Sequence, residues 1–206
     1  MSSVSVDIEG LTDAESYFKN FPKVTAQAAA IAINYAVSRG GLKMLQDEML
    51  GQVNFPSGYL SGDRFGPSEF ASPTKLEGAV KARKRATSLA RFAAPGTPLG
   101  RTNGSVQVRV KTGRSTTLRN AWLVRLRKGA SLTEDNYNVG LAVRVGKGER
   151  LAKKYSEHRS WLVPGAIALL YGPSVDQVFK DVAEVQSSRI LDMTSAEFFR
   201  QLERLL

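Results

Sequence analysis

The chain has 206 residues, 42% of them hydrophobic and 8% aromatic, enough for a real core, which excludes wholesale disorder. It has no cysteine, which excludes disulfides, thiolate nucleophiles and cysteine-ligated metals and fits a reducing compartment. The net charge is +10, and residues 75–128 carry fourteen Lys/Arg against one Asp/Glu, a field that suits nucleic acid or an acidic protein surface.

Taken in chain order, MSSVSVDIEG has neither a basic nor an apolar region of signal-peptide form, and no apolar stretch reaches the roughly 18–20 residues of a spanning helix. No membrane is therefore expected among the partners. Val4, Val6 and Ile8 alternate as in a short strand, and Thr12-Asp13-Ala14-Glu15 has the form of a capping box. Beyond Pro22, a stripe of Val24, Ala28, Ile31, Tyr35, Ser38, Leu42, Leu45 and Met49 predicts a long amphipathic helix, with a kink or break expected at Gly40-Gly41. Ala26, Ala29, Ala30, Ile33 and Val37 lie off that stripe, so the helix is expected to be buried on several faces.

Residues 53–104 are dense in Gly and Pro and predict an irregular projecting arm, with Phe55, Tyr59, Phe65 and Phe70 as candidate docking residues. Within it KLEGAVKARKRATSLARFAA alternates weakly and could pair on itself about Arg85–Ser88. From 105 to 145 the segments SVQVRVK, AWLVRLRK and VGLAVRVG alternate as strands of an antiparallel sheet with one buried face.

LLYGPSVDQVF then joins an apolar run to a spaced helical pattern. Ser174-Val175-Asp176-Gln177 reads as a capping box, so Tyr171, Gly172, Pro173 and Ser174 are expected to form a structural strand-to-helix joint. Gly172 would matter most there if it takes φ > 0. Thr194-Ser195-Ala196-Glu197 has the form of a second box and predicts a separate last helix. The fold class expected is α+β: an antiparallel sheet packed by a long N-terminal helix and C-terminal helices, in one domain spanning 1–206.

No catalytic constellation is evident, and no enzyme activity, cofactor or metal site is expected. His158 is the single histidine and lies in the charged stretch KKYSEHRS, where a solvated surface residue is the economical reading. Gly146-Lys147-Gly148-Glu149-Arg150 lacks the spacing of a phosphate loop and reads as a turn. Asp47-Glu48 and Glu134-Asp135 read as solvated acids. The basic residues carry the functional content: Lys81, Arg83, Lys84 and Arg85 form a cluster, while Arg109, Lys111, Arg125 and Arg127 occupy alternating strand positions. They are candidates for contact with DNA or an acidic partner.

FPKVTAQAAAIAINYAVSRG, the irregular segment after it, the basic strands and LLYGPSVDQVF together resemble the minor tail protein Z family of tailed bacteriophages, and more broadly tail-completion and head–tail joining proteins. The resemblance is firmest at 21–45 and 166–206 and loosest at 56–104. It implies a structural virion protein, assembled in the host cytoplasm, forming a ring, six-fold by analogy, at the head-proximal end of the tail. Its implied partners are further copies of itself, tail terminator or tail tube proteins, head-connector or neck proteins, and DNA in the lumen. The alternative reading is a stand-alone basic nucleic-acid-binding protein.

Overall fold

The computed structural model describes residues 19, 22–100, 104–127, 138–144, 162–163 and 167–206. The expected first strand, the Thr12–Glu15 box, Glu134-Asp135, the Gly146–Arg150 turn and His158 lie outside them. The fold is α+β with antiparallel sheets, divided into two compact units. One comprises Met1–Gly51, Ser57–Arg85 and Val175–Leu206; the other comprises Gln52–Pro56 and Ala86–Ser174. The expectation was a single domain bearing an arm.

The first unit contains helices α1 (Pro22–Ser38), α2 (Gly40–Gln52) and α3 (Val175–Leu205) and the antiparallel pair β1 (Phe65–Glu69) and β2 (Ala79–Ala82). The expected long helix is thus two helices that meet at Arg39, beside Gly40-Gly41. Hydrogen bonds from Arg39 N–H to Tyr35 O (2.9 Å) and from Lys43 N–H to Arg39 O (2.8 Å) keep the direction helical through the break. Between Ala28 and Ser38 no residue of α1 is exposed, as its off-stripe alanines foretold. Small side chains let α3 approach closely, and Ala28, Ala32, Phe198 and Leu202 form a buried cluster flanked by Val24, Ala29 and Leu205.

Helix α3 runs unbroken for 31 residues, so the separate last helix is a correction. No Gly or Pro interrupts 175–205. Thr194 does not cap: its hydroxyl donates to Ile190 O, one turn back, at 2.6 Å, which satisfies the hydroxyl inside a continuing helix. Glu197 likewise does not reach back. Its two carboxylate oxygens accept from Arg200 Nη2 and Nε at 2.7 and 2.9 Å, and Gln201 Nε2 adds a bond at 2.6 Å.

The Arg200 hydrogen bonds hold Glu197 below its ordinary carboxylate range, with help from Gln201 and against the opposing effect of burial. A depressed folded-state value stabilises the fold above the unfolded-state value, and that contribution is lost as pH falls through the folded value. We therefore expect Glu197→Gln to lower the thermal midpoint at pH 7, and the gap to the parent to close as pH falls toward 3. A gap that is constant across this range would show that the charge contributes nothing.

The second unit contains β3 (Ala86–Ser88), a short 3-10 helix (Leu89–Phe92), β4 (Ser105–Val108), β5 (Thr116–Arg119), β6 (Ala121–Arg125), β7 (Val139–Arg144), β8 (Leu162–Val163) and β9 (Ile167–Ser174). Its main sheet has the order β3-β9-β7-β6, with β8 also on β9, and every pairing is antiparallel. Val139, Gly140, Leu141 and Ala142 are all buried, so β7 is covered on both faces. A separate ribbon pairs β4 with β5. The strands expected from SVQVRVK, AWLVRLRK and VGLAVRVG are β4, β6 and β7.

The expected pairing of KLEGAVKARKRATSLARFAA on itself is corrected: β2 pairs with β1 and β3 with β9, in different units. Tyr171, Gly172, Pro173 and Ser174 do form the strand-to-helix joint, but as the last four residues of β9, with α3 starting at Val175 and no loop between. The register with β3 shifts there: Ala86 faces Ser174 and Thr87 faces Gly172. Pro173 is the extra residue, and a bulge tolerates a residue without an N–H. Gly172 is not among the glycines of positive φ. A Cβ on it would stand 3.0 Å from the Phe92 ring, so close packing accounts for the glycine and left-handed backbone does not.

Candidate polyanion-binding surface

The projecting arm is corrected by burial. Phe55 is 5% exposed, Tyr59 2% and Phe65 1%, while Phe70 alone, at 60%, remains free for docking. An aromatic side chain offers too much apolar area to leave in water when a partner face is at hand. Phe65 meets Phe179 edge-on at 5.4 Å, and Phe55 packs against Phe92 at 6.0 Å, each pair within its own unit. Residues 57–72 are further fastened to the helices of the first unit. Gln46 Nε2 donates to Leu60 O at 2.8 Å, and the Asn34 side chain bonds Ala71 in both directions.

The eight candidate basic contacts divide between the two units. Lys81, Arg83, Lys84 and Arg85 belong to the first unit, and Arg109, Lys111, Arg125 and Arg127 to the second. Lys81 pairs with Asp63 at 3.3 Å. Arg83 is half-buried and structural: its guanidinium hydrogen-bonds the Tyr59 hydroxyl and lies 5.4 Å from that ring, while Arg64 lies 4.9 Å from it. Its backbone is engaged too, with N–H to Arg64 O at 2.9 Å and its carbonyl accepting from Asp176 N–H at 3.1 Å. Lys84 and Arg85 are exposed.

Division of the chain sorts the charge more sharply than the sequence windows did. Across its whole sequence the first unit holds 14 Lys/Arg and 15 Asp/Glu, and the second holds 15 Lys/Arg and 4 Asp/Glu. The excess of +10 therefore resides entirely in the β-rich unit. All four of that unit's acids fall outside the described residues, so among the described residues it carries cations and no carboxylate. Arg109, Lys111, Arg125 and Arg127 are all exposed, as are Arg114, Arg119 and Arg144, which the sequence reading passed over. Arg114 and Arg119 escaped it because Thr116–Arg119 lacks apolar alternation and does not read as a strand.

The β4–β5 ribbon gathers four of these cations. Register places Ser105 opposite Arg119, Val106 opposite Leu118 and Gln107 opposite Thr117. Cross-strand partners share a face, so Val106, Val108 and Leu118 form the inner side, with Val106 and Val108 buried. Ser105, Gln107, Thr117 and Arg119 form the outer one, all exposed. Arg109 and Lys111 continue the outer alternation beyond Val108, and Arg114 closes the turn with its N–H on Lys111 O at 3.1 Å.

The 105–112 segment is also held by backbone bonds outside the ribbon: Ala94 N–H to Gln107 O (2.9 Å), Arg109 N–H to Phe92 O (2.8 Å) and Asn54 N–H to Val110 O (2.8 Å). These cations thus stand on a fixed backbone. Elsewhere in the unit, Arg125 ends β6 and Arg144 ends β7. Asn138 donates from its side chain to Arg127 O, which pins the backbone at Arg127.

Among the described residues no group of three His, Cys, Asp or Glu side chains is placed to hold a metal ion, and no helix is long and apolar enough to cross a membrane. The chain is thus an α+β protein in which a near-neutral helical unit accompanies a strongly cationic β unit. Comparison with protein-family models, characterised proteins and solved structures returned no match.

Proposed function

We propose that the chain is a structural virion protein of a tailed phage. In this reading it is a tail-completion or neck ring subunit at the head-proximal end of the tail, joining tail to head around the path of the DNA. The observation that carries the reading is the partition of charge, −1 in the helical unit and +11 in the β unit. A ring around DNA must bind protein neighbours through one part of each subunit and tolerate a polyanion near another. The resemblance of the 21–45 and 166–206 segments to the minor tail protein Z family supports the same assignment. Those segments supply α1 and α3, whose alanine-rich contact forms the core of the helical unit. Its partners would be copies of itself, tail terminator or tube proteins and head-connector proteins, and its role non-enzymatic.

Purified particles test this directly. The chain is expected in the particle at ring stoichiometry, located by electron microscopy between head and tail. Particles assembled without it are expected to lack infectivity while retaining filled heads. Its absence from purified particles would refute the assignment. A stand-alone nucleic-acid-binding protein, the second reading, rests on the same cationic unit and predicts duplex binding with no particle association.

A further inference from the structure

We propose that the outer face of the β4–β5 ribbon holds the phosphodiester backbone of duplex DNA without regard to sequence. This deepens the proposed function by naming the partner of its cationic unit, and it uses only the geometry of one subunit.

Three properties of the face select the ligand. First, it is cationic: Arg109, Lys111 and Arg119 are exposed along it, Arg114 is exposed in the turn that closes the ribbon, and no carboxylate of the described part of this unit competes for them. Second, its remaining members are hydroxyl and amide groups, Ser105, Gln107, Ser115 and Thr117, with Gln107 Nε2 on Ser115 Oγ at 3.3 Å. Phosphate oxygens are bound in most protein–DNA contacts by this mixture of Arg, Lys, Ser, Thr and Gln. Third, the face offers no apolar anchor, because Val106, Val108 and Leu118 occupy the opposite side. Protein–protein interfaces derive most of their affinity from buried aromatic or apolar anchors, so an acidic protein is the poorer fit.

Arginine outnumbers lysine three to one among these cations, and its planar fork matches a phosphate in two-point contact. The reach is also suitable. From Ser105, opposite Arg119, to Arg109 is four strand steps, about 13 Å. One strand of duplex DNA carries about four phosphates over that length. With no base-reading element protruding from the face among the described residues, contact with phosphates alone predicts affinity without sequence preference.

The test uses the full chain, fluorescently labelled duplexes of about 30 base pairs in two unrelated sequences, and poly-glutamate as a competing acidic polypeptide. Neutralising four phosphates gives a slope of log affinity against log salt near −3.6, an affinity loss of about 100-fold between 50 and 200 mM salt. Arg109→Gln with Arg119→Gln should reduce that loss to about 10-fold, and Lys111→Gln with Arg114→Gln should act equally, all four being exposed and remote from the core. Lys23→Gln with Arg204→Gln removes the same charge from the other unit and should leave the salt slope unchanged.

Equal affinity for both duplexes with these slopes supports the proposal. Absence of duplex binding at 50 mM salt overturns it, as does a control pair that lowers the slope as much as the ribbon pairs. Poly-glutamate that competes as strongly as duplex would transfer the surface to an acidic protein and also overturn it. Loss of duplex binding with normal incorporation into particles refutes this inference alone. Duplex binding by a chain missing from particles refutes the tail reading alone.

Discussion

Phe65→Ala is expected to destabilise the helical unit by about 3–5 kcal/mol, the range for removing a fully buried aromatic side chain. Phe65 is 1% exposed and meets Phe179 of α3 edge-on at 5.4 Å, so the variant loses apolar burial and an aromatic pair together. A domain's total stability is about 5–15 kcal/mol, so the change consumes a large part of it. Phe70→Ala is the matched control: the residue lies one position beyond the same strand, is 60% exposed, and should shift stability by less than about 0.5 kcal/mol. Urea unfolding of both variants separates the possibilities. If residues 53–104 were a docking arm, the two phenylalanines would behave alike.

Gly41→Ala is expected to destabilise the protein although alanine is the better helix former. Propensity alone predicts a gain of about 1 kcal/mol for Gly→Ala in a helix. Position 41 is buried, however, and a Cβ there would lie 2.5 Å from the Ala36 carbonyl oxygen and 3.2 Å from the Met193 methyl. Met193 could rotate away, but the backbone oxygen cannot move without disturbing the junction of α1 and α2. Overpacking of this kind costs about 1–3 kcal/mol, which outweighs the gain. Gly51 is the internal comparison: it sits in the same helix, is exposed, and has nothing within 4 Å of its hypothetical Cβ. Gly51→Ala should therefore raise stability by about 0.5–1 kcal/mol. Opposite signs at 41 and 51 are the expected result, and a stabilising Gly41→Ala would show that the two helices are not packed this closely.

Local pattern made several elements readable. The stripe from Val24 to Met49, its break at the paired glycines, and the strands at β4, β6 and β7 follow from periodicity, because side-chain spacing reports which face is buried. Strand β5 was hidden, since TTLR carries one apolar residue and its conformation is stabilised by pairing with β4. The Thr194–Glu197 box misled for a related reason. The same Thr and Glu that could cap a helix can bond within one, and nothing in the four residues tells which alternative is realised.

The composition of the chain by itself determined that it would be cationic, free of cysteine and rich enough in apolar residues to fold, and its periodicity pointed to α+β with antiparallel sheets. Local pattern also marked where the helices from Pro22 and Val175 begin and where β4, β6 and β7 lie, because those choices depend on neighbours within a few residues. Only the tertiary structure decided which long-range partners those elements take. Tyr59 and Phe65, read as docking residues because Gly and Pro surround them, are core residues: Phe65 packs on Phe179 of α3, and the guanidinium groups of Arg64 and Arg83 lie against the Tyr59 ring. The basic run from 75 to 128 is continuous along the chain but divides at Arg85 between two units, one with acids to balance it and one almost without. Local propensity is a property of neighbours in sequence, whereas burial and net field depend on what the folded chain brings together from afar.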